Sequence, residues 1–438
     1  MNKELIAVWG VGHIGMTTLI SLANSGYKGI AIDVNNKVVN RLNSGNDLLA
    51  MLDEYYCEAN ELDIKNIEIV AYNLDDIQNL ENAIGIHFVC VPTELNGFPM
   101  MDTVKDTILK ICDFEKEKEN QNVTVVVEST LTPGTAKELH ELLVENLSEK
   151  KIRFVVAPRR DWFEKNYRLC DIVRIYGADS VSTADYIEPI LKITTPTLKR
   201  ASHYTVSEIV KPVENAFRHL DIMLAQQLAS SYNSIDIREV LELAGTKWNV
   251  KTYFPSIGIG GYCIPISSKY ILEGNKTENH LSLLQEVVSF EDEYLGLLCD
   301  LFISLGLKKI GILGVSYRSD VLIMKGSHLT RIVNKLNELN IEVLLADPLF
   351  EDSDIEAFFK TKSFNINYMK QYEFDGIVVN NWHQPYDTIF TEDMLKNLFQ
   401  CKILFDNIGN LEQYAKKNKL TNYRLIGRAS WKSPNIDL

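Results

Sequence analysis

Nowhere does this sequence approach the roughly 18 consecutive apolar residues that a membrane-spanning helix needs, so no helical span is expected. It has no excess of positive charge either: 45 Lys and Arg stand against 59 Asp and Glu, a formal net charge of −14. Nucleic-acid binders usually present a basic face, and that class is not expected here. A small anionic ligand stays open, because one pocket can be positive on an acidic protein. The seven cysteines (Cys57, Cys90, Cys112, Cys170, Cys263, Cys299 and Cys401) are odd in number and include no CxxC pair. Neither a disulfide framework nor a zinc site is expected, and no metal is assigned. The chain reads as cytoplasmic and reduced, which keeps any reactive thiol available. Met1 to Glu4 run straight into a strand, so no signal peptide is expected.

What is present is an ordinary globular composition, 46% hydrophobic and 24% charged, over 438 residues. That length suits two or three domains, each with its own core. Leu5–Trp9 reads as a short apolar strand, followed by Gly10-Val11-Gly12-His13-Ile14-Gly15 and a helical pattern through Asn24. A second strand over 29–32 ends in Asp33, eighteen residues beyond Gly15. Strand, GxGxxG, helix, strand and acid together form a dinucleotide-binding unit. The glycines permit a tight turn and close approach to a pyrophosphate, and the helix start favours its negative charge. Asp33 would accept hydrogen bonds from the ribose hydroxyls and repel a 2′-phosphate, favouring NAD over NADP.

Further strands are expected at 67–70, 84–91 and 123–128, alternating with helices at 101–114 and 135–147. That alternation is the mark of a doubly wound parallel sheet. Two strand ends carry polar groups where such sheets bind ligands, Val91-Pro92-Thr93 and Ser129-Thr130-Leu131-Thr132-Pro133-Gly134-Thr135. Either could instead be a helix cap. A long helix over 204–232 places Lys211 and Asn215 one turn apart on one face. Pro212 within it should cost a hydrogen bond or mark a kink. A helix over 282–305 follows. A smaller α/β unit begins with the strand Lys309–Leu313 and Gly314-Val315-Ser316-Tyr317-Arg318-Ser319-Asp320. It continues with a helix over 327–339 and strands over 342–346, 375–379 and 402–406. It lacks GxGxxG, so a nucleotide or nucleotide-linked group is expected there rather than a second dinucleotide. The resulting division is a Rossmann NAD domain over 1–201, a helical domain over 202–305 and a C-terminal domain over 306–438. The charged runs 115–121 and 351–362 read as solvated surface.

Between the two α/β regions lies Phe254-Pro255-Ser256-Ile257-Gly258-Ile259-Gly260-Gly261-Tyr262-Cys263-Ile264-Pro265. Glycines leave the backbone free for φ > 0 and for close approach of another molecule, and a cysteine beside them could be offered to a small substrate. A glycine-rich turn beside an inert, buried cysteine is the alternative.

Taken in order, these motifs resemble the UDP-glucose/GDP-mannose 6-dehydrogenase family of nucleotide-sugar dehydrogenases over nearly the whole chain. Gly10–Gly15 is similar to the family's GxGYVG, Val89–Thr93 to VCVPTP and Ser129–Thr135 to STVxPGT. The stretch from Glu208 to Arg218 is similar to ExxKxxENAxR, Gly258–Pro265 to GxGGHCIP and Gly314–Asp320 to GLAYKxD. The resemblance implies an N-terminal NAD domain, a long central dimerising helix and a C-terminal domain holding the nucleoside diphosphate. It also implies two NAD-dependent oxidations of a sugar C6 alcohol, through a thiohemiacetal and a thioester on Cys263. Lys211 and Asn215 would stabilise the oxyanion and Thr130 would position a water. The implied cofactor contacts are Gly10, Val11, Gly12, Ile14, Asp33, Val91, Pro92, Thr93, Ser129 and Thr130. Those for a UDP-sugar, in preference to a GDP-sugar, are Arg159, Lys211, Asn215, Tyr253, Gly258, Gly260, Gly261, Tyr317 and Arg318. A homodimer through the central helix is implied as well.

The sequence departs from the family at two acids. Arg159 stands where the family has the glutamate associated with thioester hydrolysis, and Ser267 where it has an aspartate near the catalytic water. Loss of a general base costs about 100- to 10,000-fold. Asp161 or Glu164 could substitute through a shifted loop. Arg159 would add positive charge, lowering the thiol's pKa or binding an anionic group on the substrate. Three functions follow as expectations: the full dehydrogenase; a variant that stops at the aldehyde or passes the thioester to another acceptor; and a non-catalytic nucleotide-sugar-binding relative.

Overall fold

In a computed structural model of the chain, residues 5–44, 69–160, 172–261, 263–277, 279–429 and 431–433 are described. They form two compact units, Met1–Glu214 with Ile266–Asn279, and Asn215–Pro265 with His280–Leu438.

The first unit opens with β1 (Leu5–Trp9), α1 (His13–Asn24), β2 (Lys28–Asp33), α2 (Asn36–Ser44) and β3 (Ile69–Asn73). It continues with β4 (Ile86–Val89), the hairpin β5 (Glu94–Leu95) and β6 (Phe98–Pro99), α3 (Asp102–Lys116), β7 (Asn122–Val127) and α4 (Thr135–Asn146). Then come β8 (Lys151–Val156), β9 (Arg174–Ala178), α5 (Val181–Thr194) and β10 (Leu198–Arg200). Eight strands make one sheet in the order β10-β9-β8-β7-β4-β1-β2-β3, parallel throughout except where β9 runs against β8. The near-continuous apolar strands, such as LIAVW and NVTVVV, are buried because helices cover both faces of the sheet. On one face α3 and α4 supply Val104, Ile108, Leu139 and Leu143; on the other α1 and α5 supply Met16, Leu19, Ile187 and Leu191. Strand order reverses at β1 and β4, and ligands of such sheets bind in the crevice outside those strand ends.

Next come α6 (Tyr204–Ser231), α7 (Ile237–Ala244), α8 (Cys263–Gly274) and α9 (Ser282–Ser304). The 28-residue α6 runs through Pro212, where the missing N–H leaves the Glu208 carbonyl without its intrahelical donor. The second unit's sheet contains β11 (Lys309–Leu313), β12 (Glu342–Ala346), β13 (Lys362–Ser363), β14 (Gly376–Val379), β15 (Ile403–Asp406) and β16 (Tyr423–Leu425). Its helices include α10 (Leu329–Glu338) and α11 (Asp352–Phe359). Its order is β13-β12-β11-β14-β15-β16, all parallel, with the reversal at β11 and β14. The architecture is the expected α/β one. Among the described residues no helix is long and apolar enough to cross a membrane.

One expectation is corrected. Glu115, placed on a solvated run, is fully buried and pairs with His87 at 3.2 Å. The run 351–362 is largely solvated as expected, except that Ile355 and Phe359 of α11 turn into the core. Of the strand expected at 67–70, residues 67 and 68 lie outside the described residues.

Candidate active site

At the end of β1, Gly10 adopts φ +84°, and its N–H reaches Ile32 O at 2.8 Å. A Cβ on Gly10 would stand 2.9 Å from Cys90 O, and one on Gly15 1.9 Å from Gly10 O. Both glycines are therefore demanded by packing. Gly12 is different: a Cβ there would meet nothing within 4 Å. The bare surface at Gly12 suits a molecule laid against the start of α1, whose N-cap is Gly12 and carries no side-chain cap. First-turn N–H groups, Ile14 among them, then face an anion. Asp33 completes the turn, its Oδ2 accepting from Val11 N at 2.9 Å and its Oδ1 from Asn35 N at 2.8 Å. Each oxygen keeps a lone pair for a ribose hydroxyl. These residues fit NAD.

The two polar strand ends of this unit are stapled together. Ser129 Oγ donates to Val91 O at 2.7 Å, and Thr93 Oγ1 to Thr130 O at 2.6 Å. From α8, the Tyr270 hydroxyl donates to Thr93 O at 2.9 Å. Thr93 and Ser129 thus shape the crevice with hydroxyls already spent on the chain, while Pro92 stays exposed. Neither Ser129 nor Thr130 caps α4. That helix starts at Gly134 (φ +99°), and the cap is the buried carboxylate of Glu208, accepting from Gly134 N at 3.0 Å and Ala136 N at 2.6 Å. Burial raises the Glu208 pKa despite both hydrogen bonds. Lys211 follows within the next turn of α6, half-buried, and Asn215 one turn later, buried.

Arg159 is buried. Its side chain is 2% exposed and turns into the NAD domain, donating to Thr18 Oγ1 at 2.7 Å and Thr17 Oγ1 at 3.2 Å. Glu128 Oε2 lies 3.8 Å away, and Arg174 grips the same carboxylate at 2.5 Å. A buried guanidinium held this way is part of a structural ion cluster, since leaving it unpaired would be costly. Ser267 is buried in the same unit. Asp161 and Glu164 lie outside the described residues.

In the second unit, Cys263 is the first residue of α8 and is exposed. The other described thiols are buried or, at Cys90, half-buried. Burial pushes Cys112 up to about 12, Cys299 to about 11 and Cys401 to about 12. Cys90 is raised well above its ordinary value by burial and then by Glu128. Cys57 and Cys170 lie outside the described residues.

The loop before Cys263 is clamped from below. Ile257 N donates to Asn407 Oδ1 at 2.8 Å, and the buried Arg238 donates to Pro255 O at 2.9 Å and Asn407 O at 2.8 Å. Its glycines are filled by the chain itself. A Cβ on Gly258 would be 3.1 Å from the His328 ring, and one on Gly260 2.5 Å from Tyr317 O and 3.1 Å from His328 Nδ1. Gly261, at φ +96°, would set a Cβ 3.4 Å from the Tyr317 ring. Tyr317 therefore packs against Gly260 and Gly261, and His328 against Gly258 and Gly260. Arg318 meets the turn through its carbonyl, which accepts from Ser316 Oγ at 2.7 Å. Tyr253 pairs instead with Lys251, whose ammonium lies 5.4 Å from its ring. Arg238, Asn407 and His328 have no sequence signal: each is an isolated polar residue far along the chain from the loop it holds.

A second glycine turn follows β11. Gly314 (φ +83°) sits where a Cβ would be 2.5 Å from Asn381 O. Asp347 Oδ2 accepts from Val315 N at 2.6 Å and Oδ1 from Leu349 N at 2.9 Å. His383 Nε2 closes on Asp347 Oδ2 at 2.9 Å, and Asp320 N donates to His383 Nδ1 at 2.9 Å.

Sequence models of the UDP-glucose/GDP-mannose dehydrogenase family match this chain in three places: the NAD binding domain over residues 4–173, the central domain over 205–293 and the UDP binding domain over 311–413. The chain is 28% identical over 447 residues to a UDP-N-acetyl-D-mannosamine dehydrogenase of Methanococcus maripaludis, covering 97% of each. To the Pyrococcus horikoshii protein of that name it is 31% identical over 291 residues, covering 63% of this chain and 65% of the relative. The solved structure of UDP-D-ManNAc dehydrogenase from Pyrococcus horikoshii shares the fold, with a TM-score of 0.75 at 22% identity, covering 97% of this chain and 99% of that one.

Proposed function

This chain belongs to the UDP-glucose/GDP-mannose dehydrogenase family, and from that premise we propose that it oxidises the C6 alcohol of a UDP-linked sugar through a covalent adduct on Cys263. The observation that carries the proposal is the exposed Cys263 at the start of α8, where the other described cysteines are buried or half-buried. NAD held at Gly12 and Asp33 would supply the hydride acceptor for each of the two oxidations. An aldehyde offers no second hydride until a nucleophile adds to it, and the Cys263 sulfur supplies that nucleophile. Addition gives a thiohemiacetal, the second oxidation a thioester, and water then releases the carboxylate and the thiol. Lys211 and the Asn215 amide stabilise the alkoxide and the later oxyanion, Thr130 orients the water, and N–H groups at the start of α8 add further donors.

A UDP-N-acetylhexosamine is the first substrate to try, after the names of the relatives. Incubation with NAD and separate UDP-N-acetylmannosamine, UDP-glucose and GDP-mannose, followed at the NADH absorbance, should show turnover with a UDP-sugar first. No NADH from any UDP-sugar by a protein that binds NAD would overturn the proposal.

Slow release is a second reading, favoured by Arg159 being locked in the ion cluster and by Ser267 at the other acid position. The sugar then stays on Cys263 until an acceptor such as an amine takes it, and intact mass after substrate addition should show the adduct. A homodimer through α6 is supported by Phe217 and Leu224, 65% and 55% exposed, two turns apart on that helix. Leu224→Glu should shift the mass measured by light scattering toward the monomer. A reducing cytoplasm suits a mechanism that needs the Cys263 thiol.

A further inference from the structure

Behind the cysteine loop, within the second unit, lies a cavity of about 20 Å³ bordered by Gln226 of α6, Gly258, Tyr294 of α9 and His328. Two of its wall residues each carry a buried acceptor. The Asn380 amide nitrogen donates to Gly314 O at 2.8 Å, so its oxygen is the atom facing His328 Nε2 at 2.7 Å. That fixes the ring hydrogen on Nε2 and leaves Nδ1 with a lone pair. Burial lowers the His328 pKa to about 4, so the ring is neutral at neutral pH. Gln226 spends its amide nitrogen on Ser256 O and Oγ at 3.3 and 3.1 Å, which leaves Oε1 as an acceptor. Among the described residues no protein group donates to either His328 Nδ1 or Gln226 Oε1. Two acceptors need two donors, and buried polar atoms in native proteins are nearly always satisfied.

A single water carries two O–H donors and needs roughly 10–15 Å³ of this kind of space, less than the cavity provides. We propose that the cavity binds one ordered water, which donates to His328 Nδ1 and Gln226 Oε1. Together with the His328 ring, which stands 3.1 Å from where a Cβ on Gly258 or Gly260 would lie, this water sets the height of the loop that presents Cys263. His328 and Gln226 are thus positioning residues. Only the consequence for turnover rests on Cys263 being the nucleophile; the water site and the loop height do not.

A crystal structure of the full chain that resolves waters tests the site directly. Density within about 3.2 Å of both atoms is expected; a cavity without it, or direct contact between His328 and Gln226, overturns the proposal. Gln226→Met removes one acceptor and fills the space, and should change the rate of Cys263 alkylation by iodoacetamide at least threefold while NAD affinity stays unchanged. His328→Gln approaches the same site from its other end and serves if Gln226→Met does not fold. Alkylation at the wild-type rate in a folded variant overturns the positioning role. Alkylation needs no sugar, so a protein inert toward every UDP-sugar would sink the proposed function and leave this test readable.

Discussion

After β1, Gly10 takes φ +84° and Asp33 accepts the Val11 N–H; after β11, Gly314 takes φ +83° and Asp347 accepts the Val315 N–H. The backbone device is the same, down to a second amide, Asn35 or Leu349, on the other carboxylate oxygen. What differs is the third position and the far side of the acid. In the first turn Gly12 is bare, with nothing within 4 Å of a Cβ, and Asp33 is only partly buried. In the second, Ser316 takes that position and His383 covers Asp347, whose side chain is 0% exposed. A glycine turn with an acid is therefore a way of joining strand to helix, and it becomes a dinucleotide site only where the chain leaves space and lone pairs unused.

The largest effect should come from opening the closed turn. His383→Ala leaves Asp347 buried without its side-chain donor and should destabilise the protein by about 3 kcal/mol, read from urea unfolding, with NAD affinity unchanged in the folded fraction. A cost near zero would mean that the second acid does not depend on its partner. Closing the open turn is the converse. Gly12→Ser should weaken NAD binding about 100-fold, equivalent to about 2.7 kcal/mol, while stability stays within about 0.5 kcal/mol. Calorimetry and thermal melting separate the two; unchanged NAD affinity would remove Gly12 from the cradle. A smaller change is expected from Asp33→Asn: NAD should bind about tenfold more weakly, about 1.4 kcal/mol, and the preference over NADP should narrow.

The smallest effect concerns acid. Burial works against the charged forms of Glu115 in the first unit and Asp375 in the second, yet both sit below their ordinary values. His87 and the Ile84 amide outweigh burial at Glu115; Lys402 and the amides of Lys308 and Lys309 do so at Asp375. A depressed carboxylate contributes stability that is complete at neutral pH and fades as pH falls through its folded value, below the ordinary range of about 4. Unfolding measured from pH 7 to pH 3 should therefore show falling stability, with a shallower fall in Glu115→Gln and in Asp375→Asn. A slope unaltered in both would contradict the assignment.

Much of the frame was legible because its signals are local. The step from strand to glycine turn to helix, Asp33 eighteen residues beyond Gly15, and the glycines before Cys263 all lie within short windows. The structure redirected what depends on distant partners. Arg159 reads as a charge for the active site until Thr18, 141 residues away, accepts from its guanidinium. Ser129 and Thr130 read as a possible helix cap, yet Glu208, more than 70 residues on, caps α4. The loop glycines read as room for a ligand, but Gly258 and Gly260 make room for His328 and Tyr317, and Asn407 holds Ile257 from 150 residues away. Periodicity cannot report such contacts. Glu115 was missed for the same reason, because a charged helix end shows nothing of the histidine on β4 that it meets.

Counting NADH against sugar consumed tests the central claim most directly, using NAD, a turned-over UDP-sugar, and the wild-type protein beside Cys263→Ala. The account predicts two NADH for each sugar in the wild type and no more than one in Cys263→Ala, because without the sulfur the aldehyde has no second hydride to give. Two NADH per sugar from Cys263→Ala would contradict it.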